Sequence, residues 1–361
     1  MLKCIYLLIL LLSVNIVNAQ SPFKGFEHLF TQPKGYVVAH TNIAPTIDGD
    51  INDKVWESAK WTDYFVDIEG DLKPKPYYNT RVKMLWDDKY LYIAADLSDK
   101  HVWAYLTKHD QVVFYDNDFE VFINPSNSTH QYFEYEINAQ NTIFDLFLPK
   151  TYRAGTGALI SWDSKTLKSA VKVKGTLNNP SDEDEGWTVE MAIPFSDISV
   201  GNNANIPKNN AIWRLNFSRV QWETEIIDGK YVKKTDANNK QLPENNWVWS
   251  PQGIINMHAP ERWGYIQFST NEAGSELPEF KMPYSELQQQ YLWLIYYKQQ
   301  EYRSKNGKYA NSPSDLGINS TIQINGINNQ LSIEATTYQY TAIITDSKSR
   351  PVKINDEGLI R

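Results

Sequence analysis

Apolar and polar residues alternate along most of the chain between residues 38 and 270, in short runs that Asn, Gly, Pro and Asp separate. A period of two is the pattern of a β-strand that buries one of its faces. Many short strands at this spacing predict a mainly β protein, namely an antiparallel β-sandwich of the jelly-roll or immunoglobulin-like kind. The predicted strands are 81–87, 90–99, 119–124, 132–138, 143–149, 170–177, 186–194, 211–220 and 262–269.

A helical period replaces this alternation at 284–305, where apolar residues fall on one stripe and Gly307 follows as a stop signal. We expect this helix to dock on the sandwich and cap it. Short strand-like runs come next, so residues 284–361 are predicted to be a small α+β module behind a linker at 271–283. This module is also a candidate surface for a protein partner.

The first 19 residues have the pattern of a secretory signal peptide. A single charge at Lys3 precedes a short apolar run, and small residues stand at 17–19. We therefore expect export through the Sec pathway to the periplasm, the cell surface or the medium, with a polar lead-in at 20–37. No later stretch is long and apolar enough to predict a transmembrane segment. Because the one cysteine, Cys4, lies in the signal, disulfides and cysteine–zinc sites are excluded.

Composition narrows the choice of partner. The chain has 43 acidic against 35 basic residues and a net charge of −8, whereas nucleic-acid binding requires a basic surface. No nucleic-acid partner is expected. The chain also has 12 Trp and 22 Tyr, whose rings with a polar edge are enriched at recognition surfaces. Since such rings are also core material, their number alone does not decide the function.

The predicted strands carry acidic residues on their second face. In the run 119–124, Val121 and Ile123 point one way, and Glu120 and Phe122 point the other. Carboxylates beside aromatic rings suit a sugar, whose hydroxyls donate to carboxylates and whose C–H faces stack on rings. A solvated outer sheet with Glu–Arg pairs is the alternative, and alternation leaves both open. The predicted polar face comprises Glu120, Glu134, Glu136, Glu190, Arg214 and Asn216.

Six segments over about residues 40–270 resemble, in the same order, the family 9 carbohydrate-binding modules in their stand-alone, secreted bacterial form. The resemblance implies a β-sandwich related to DOMON-type domains, which bind sugar or haem. It also implies carbohydrate binding, often in company with glycoside hydrolases, and structural calcium. The segments are TIDGDINDKVWESA, VKMLWDDKYLYIAADLSD, DNDFEVFINP, YFEYEINAQNTIFDL, GWTVEMAIPF and WRLNFSRVQW.

The same resemblance implies where the ligand lies. Members of the family clamp a sugar ring between two tryptophans, and at those positions this chain has Phe114 with Tyr115 and Met257 with His258. The acidic ligand of the family corresponds to Glu120. The family's arginine falls near Glu134 here, so Arg214 or Arg219 would replace it. The substrate-binding candidates are Phe114, Tyr115, Asn117, Glu120, Glu134, Arg214, Trp249, His258 and Arg262.

Two further expectations come from loops. Trp247, Trp249 and Trp263 surround a loop that contains Pro and Gly, and loop residues often carry function, so one of them is a candidate binding platform. Asp116 and Asp118 offer the hard oxygen ligands that calcium prefers.

Two alternative functions remain open at this point. Carboxylates on one face also suit a glycoside hydrolase, which uses a pair of them. A haem-binding sensor would need His or Met ligands, and Met257, His258, His101 and His109 are available.

Overall fold

A computed structural model describes residues 21–201 and 205–361, so the predicted signal peptide lies outside the described residues. The helices are α1 (Lys54–Glu57) and α2 (Tyr284–Asn306). The first fourteen strands are β1 (Gly35–His40), β2 (Val66–Asp67), β3 (Thr80–Trp86), β4 (Tyr90–Ser98), β5 (Asp118–Asn124), β6 (Tyr132–Asn138), β7 (Ile143–Leu148), β8 (Lys168–Lys174), β9 (Gly186–Pro194), β10 (Ile212–Gln221), β11 (Thr224–Ile227), β12 (Lys230–Lys233), β13 (Asn245–Val248) and β14 (Gly264–Glu272). All belong to the sandwich except β11 and β12, which pair with each other as a separate hairpin. The strands of the C-terminal unit are β15 (Thr321–Ile324), β16 (Ile327–Ala335), β17 (Tyr340–Thr345) and β18 (Val352–Asn355).

The strands form two facing layers, in the order β7-β6-β5-β10-β14 and β1-β3-β4-β9-β8. Inward residues of both layers, such as Val121 and Val189, are fully buried in one core. The predicted mainly β sandwich is thereby confirmed. Pairing is antiparallel except at β1, which pairs parallel with both β14 and β3 and joins the layers. This strand begins at Gly35, inside the predicted lead-in of residues 20–37. The sequence analysis did not predict it because the apolar run Val37, Val38 and Ala39 is too short to mark a strand.

Buried tryptophans lie both inside the sandwich and outside one of its layers. Trp187 and Trp213 belong to the core between the layers, whereas Trp56 lies in a separate buried cluster with Tyr92 of β4 and Ala192 of β9. The indole of Trp56 donates to Glu190 Oε1 over 2.6 Å, and Glu190 Oε2 accepts the backbone N–H of Gly49. Glu190 therefore stabilises the β9 layer and is not part of the predicted polar face, which corrects that expectation.

The C-terminal unit packs helix α2 on a four-stranded antiparallel sheet, β15-β16-β17-β18. The helix ends at Gly307, whose φ of 70° is the left-handed conformation that glycine favours. Its outer side docks on the sandwich, where Tyr297 donates to Glu261 over 2.7 Å. The C-terminal segment adds a second contact, because Thr129 of the sandwich donates to the Gly358 carbonyl over 2.6 Å. Helix α2 is thus a cap, as expected, whereas a protein partner for this unit stays a prediction.

Candidate functional site

A cleft of about 470 Å³ opens over the outer face of β5 and β6. Glu120 lies opposite Glu136 in the ladder, and Phe122 lies opposite Glu134, so these four side chains form the floor. The strand alternation that buries Val121 and Ile123 in the core directs these residues outward. The full lining is Ile68, Val112, Phe114, Glu120, Phe122, Glu134, Glu136, Phe144, Leu146, Tyr152, Ile160, Val220, Glu244, Asn246, Ile255, Asn256, Met257 and His258.

The loop 250–258 forms one wall of this cleft and is held at both ends. At its start, the Asn216 amide donates to the Ser250 carbonyl and accepts the Ser250 N–H, over 2.9 and 3.0 Å. At its end, the buried indole of Trp263 donates to the Met257 carbonyl over 2.8 Å and its ring packs against Phe122. Trp263 is therefore a support behind the cleft.

The rest of the rim carries two rings, of which Phe114 is half-buried and Tyr152 packs edge-on against His258 with ring centroids 4.5 Å apart. The backbone N–H of Phe114 donates to Glu136 over 2.8 Å, which fixes this ring beside the floor. Tyr152 is 47% exposed, and its neighbour Arg153 makes a bidentate pair with the buried Glu261 at 2.6 and 2.8 Å. That pair ties the Tyr152 segment to the loop wall and is geometrically specific. The rim therefore presents rings on a fixed frame.

Carboxyl groups cluster at the floor. One oxygen each of Asp118, Glu120 and Glu136 lies within 4.8 Å of the others, and all three side chains are buried. Asp118 Oδ2, Glu120 Oε2 and Glu134 Oε2 have no hydrogen-bond partner among the described residues. Burial raises the pKa of Glu120 to about 7, and burial together with the neighbouring carboxylates raises those of Asp118, Glu134 and Glu136 well above their usual range. Near neutral pH, the floor therefore offers O–H donors as well as acceptors.

His258 lies at the edge of this floor as a neutral ring. Its Nδ1 is 3.0 Å from the Tyr132 hydroxyl, and its Nε2 is 4.0 Å from Glu134 Oε2. Burial lowers the pKa of His258 to about 4. Since the pKa of Glu134 is raised, the two groups are a polar contact between neutral side chains and not an ion pair.

Of the predicted site residues, the structure brings Phe114, Glu120, Glu134 and His258 together in the cleft. Both positions of the implied clamp, Phe114 and the Met257–His258 pair, line it from different walls. Tyr115 is 56% exposed and stacks on Phe114 with ring centroids 4.6 Å apart, so it lies just outside.

Neither arginine reaches the cleft, which corrects the expectation that Arg214 or Arg219 replaces the family's arginine. Arg214 is buried at the far end of β10 and pairs with Glu286 of helix α2 over 2.8 Å. Arg219 has the opposite parity on β10 and pairs with the buried Asp99 over 3.0 Å. The alternative of a solvated sheet with Glu–Arg pairs is also wrong, because Glu120, Glu134 and Glu136 are at most 5% exposed and both arginines of β10 pair elsewhere.

Two loop candidates are likewise structural. Trp249 is 2% exposed and belongs to the sandwich core, so it is no binding platform. Arg262 is buried behind the loop wall, where its guanidinium donates to the carbonyls of Leu29 and Gln252 and lies over the Tyr297 ring. Both are corrections: Trp249 packs inside the sandwich, and Arg262 is covered by the N-terminal segment and helix α2.

The two residues predicted to hold calcium, Asp116 and Asp118, have different surroundings in the structure. Asp116 Oδ2 accepts the backbone N–H groups of Tyr105 and Leu106 over 2.8 Å, so it stabilises a turn and does not face the carboxyl cluster. Asp118 does belong to that cluster. The side-chain oxygen of Asn117 accepts the backbone N–H of Trp222 over 2.8 Å, and Asn117 does not line the cleft.

The four candidate haem ligands, which all lie within the described residues, do not form a pair that faces a common space. Met257 and His258 are neighbours on one wall, whereas His101 lies 3.2 Å from the Tyr231 hydroxyl and His109 lies 3.2 Å from Asp163. Sequence reasoning in turn missed Tyr152, Ile160, Ile255 and Glu244 as lining residues. Tyr152, Ile160 and Ile255 could have been predicted, because each is an apolar residue within a polar or glycine-containing loop.

A β-sandwich with an acidic floor and an aromatic rim defines a small-ligand binding protein of the sugar-binding type. The family model described as carbohydrate family 9 binding domain-like matches residues 47–267, more than half of the chain. The chain belongs to this family, and carbohydrate binding is the role that membership supports.

Curated relatives include endo-1,4-beta-xylanase C of Paenibacillus barcinonensis, 28% identical over 51% of this chain and 15% of the relative. Exoglucanase XynX of Acetivibrio thermocellus is 26% identical over 45% of this chain and 12% of the relative. The chain thus spans less than a fifth of the length of these relatives.

Two solved structures are also similar. One is a family 9 carbohydrate-binding module of Caldicellulosiruptor kristjanssonii in complex with cellotriose, 16% identical over 69% of this chain and all of that chain, with a TM-score of 0.43. The other is a putative carbohydrate-binding protein of Bacteroides uniformis, 15% identical over 66% of this chain and all of that chain, with a TM-score of 0.46.

Proposed function

We propose that the chain binds a glycan in the cleft over β5 and β6. The observation that carries this proposal is the acidic floor of Glu120, Glu134 and Glu136 beneath the apolar rim of Phe114 and Tyr152. A cleft of about 470 Å³ is within the range of small-molecule sites. It therefore accepts a sugar segment and leaves the rest of the glycan in solvent.

The chemistry of the floor matches a polyol. Sugar hydroxyls both donate and accept, and a partly protonated carboxyl cluster with a neutral His258 does the same. The buried carboxyl oxygens without partners would gain hydrogen bonds from the ligand, and this recovers part of the cost of burying them. Phe114 and Tyr152 would stack on the C–H faces of the sugar.

Context supports a role in polysaccharide catabolism outside the cytoplasm. The xylanase and exoglucanase relatives carry names of polysaccharide-degrading enzymes, and residues 1–19 have the pattern of a Sec signal. Over the described part of the chain, no helix combines the length and hydropathy needed to cross a bilayer. Mass spectrometry of the exported protein tests this part: a mature N-terminus at Gln20 supports it, and an uncleaved chain in the cytoplasm contradicts it.

Calcium remains a proposal. The residues that would hold it are Asp118, Glu120 and Glu136, whose carboxylate oxygens are the hard ligands that calcium takes. The ion would neutralise the floor in place of protons. If calcium binds, glycan affinity measured in calcium and in chelator should differ, and Asp118→Asn should abolish the difference. Equal affinity in both buffers would argue against the ion.

The direct test is affinity electrophoresis followed by calorimetry against a panel of plant, algal and host polysaccharides. Phe114→Ala and Glu120→Gln should each weaken binding of the recognised glycan by about tenfold or more. Matched controls are Tyr338→Ala, an aromatic residue 74% exposed on the C-terminal unit, and Glu190→Gln, a buried carboxyl of the other layer. Binding that both cleft variants retain would refute the site.

The same variants decide between binding and hydrolysis. A carboxyl with a pKa of about 7 also suits a general acid, so release of reducing sugar from each bound glycan should be measured. Release that Glu120→Gln abolishes would replace the binding proposal by a glycoside hydrolase. Binding without release supports a non-catalytic module.

A further inference from the structure

A second cluster of titratable side chains lies at the edge of the sandwich, beside strand β7. Nε2 of His109 is 3.2 Å from Asp163 Oδ1, 3.4 Å from Asp110 Oδ1 and 3.7 Å from Asp145 Oδ1. All four atoms lie within 4.8 Å of one another. One imidazole nitrogen thus faces three carboxylate oxygens from three separate parts of the chain.

The hydrogen on the imidazole cannot serve all three of these carboxylate oxygens. Nε2 carries at most one hydrogen, which can point at only one of the three oxygens. Asp145 is 1% exposed, and although its Oδ2 accepts the Ser164 N–H over 2.6 Å, its Oδ1 has no hydrogen-bond partner and points at His109. A buried carboxylate oxygen without a partner costs free energy unless a positive charge or a donor faces it.

We propose that His109, Asp110, Asp145 and Asp163 form a binding site for one divalent transition-metal ion, Zn²⁺ or Mn²⁺. Four-coordinate zinc holds nitrogen and oxygen ligands at about 2.0 to 2.2 Å, so neighbouring ligand atoms stand about 3.3 Å apart. The three distances from His109 bracket that value. The imidazole favours these ions over Ca²⁺ and Mg²⁺, which take oxygen ligands. This proposal does not rest on the proposed glycan site.

The ion would join segments that lead into the walls of the cleft. The turn with His109 runs on to Phe114, and the loop with Asp163 follows Ile160; both Phe114 and Ile160 line the cleft. Strand β7 supplies the third segment through Asp145. Metal binding should therefore slow amide hydrogen exchange in residues 106–115 and 159–166.

Calorimetry of the untagged chain, after dialysis against chelator, tests the site with ZnCl₂, MnCl₂ and CaCl₂. We expect one equivalent of Zn²⁺ or Mn²⁺, a raised melting temperature, and slower exchange in the two segments. His109→Ala and Asp145→Asn should each lower affinity by about tenfold or more. His101→Ala, a histidine that contacts Tyr231, is the matched control and should bind as the parent does.

Three outcomes would overturn the proposal. The first is no binding of Zn²⁺ or Mn²⁺, the second is binding that His109→Ala leaves unchanged, and the third is a preference for Ca²⁺. Since His109 is about half-exposed, its alanine variant keeps the core intact and remains informative if Asp145→Asn fails to fold.

Discussion

Replacing Glu120 by Gln should change how stability depends on pH, because this carboxyl is buried in the floor of the cleft. It is 5% exposed, and burial raises its pKa from the ordinary 4.5 to about 7. Between these values the folded protein keeps a proton that the unfolded chain releases. The free energy of unfolding therefore falls as pH rises through this window, and the stability that the neutral carboxyl contributes is lost above pH 7.

The magnitude follows from the shift. One pKa unit corresponds to about 1.4 kcal/mol, so a rise from 4.5 to about 7 is worth about 3 kcal/mol. Gln has nearly the same shape and no titrating proton. The free energy of unfolding of Glu120→Gln relative to the parent should therefore increase by about 2.5 kcal/mol between pH 5 and pH 8, slightly less than the full shift because the unfolded carboxyl is still partly protonated at pH 5.

Urea unfolding followed by tryptophan fluorescence at pH 5, 6, 7 and 8 measures this difference, with the slope against urea unchanged. Glu279→Gln, at an exposed carboxyl, is the control, and its profile should run parallel to that of the parent. A difference between Glu120→Gln and the parent that is constant across this pH range would refute the reasoning. It would mean that Glu120 is hydrated and ionised, and that the floor holds no shared protons.

Two further substitutions probe the frame around the site. Arg214→Ala leaves the Glu286 carboxylate buried without its partner and should cost about 3 to 5 kcal/mol in urea unfolding, against less than about 1 kcal/mol for Arg81→Ala, whose pair is partly exposed. Gly253→Ala should cost at least about 3 kcal/mol in thermal unfolding, because φ is 74° and its Cβ would overlap a backbone carbonyl of the N-terminal segment. At Gly155 φ is 75° with open space, so its alanine variant should cost about 1 kcal/mol.

Alternation predicted the faces of the strands but not their register. Glu120 and Arg214 have the same parity on neighbouring strands, and the sequence places both on the polar face. In the ladder, however, Glu120 pairs with Ser218, four residues from Arg214. At about 3.3 Å per residue this separates the two by about 13 Å along the strand, enough to put Arg214 under helix α2.

Loops and termini account for the other misplaced residues. Arg262 is buried because the N-terminal segment and helix α2 cover it, as its contacts with Leu29 and Tyr297 show, whereas Trp249 is buried because its ring packs on Phe217 in the sandwich core. Those contacts join positions more than 30 residues apart, and no local pattern encodes them. The resemblance to the family, by contrast, pointed to Phe114 and His258, and both line the cleft, because a sequence motif marks equivalent positions in a shared fold.

Unsatisfied carboxyl oxygens in two places support both of the proposed sites at this end of the sandwich. A buried carboxylate without a partner lowers stability, and natural proteins keep such groups mainly where function requires them. Glu120 and Glu134 lie in the floor of the cleft, and Asp145 is on β7 between Phe144 and Leu146, which also line it. The polar groups thus face the cleft floor and the edge behind its wall. Since the opposite layer pairs its buried Glu190 fully, the proposed ligand contacts explain the contrast better than a general tolerance of unpaired carboxyl groups.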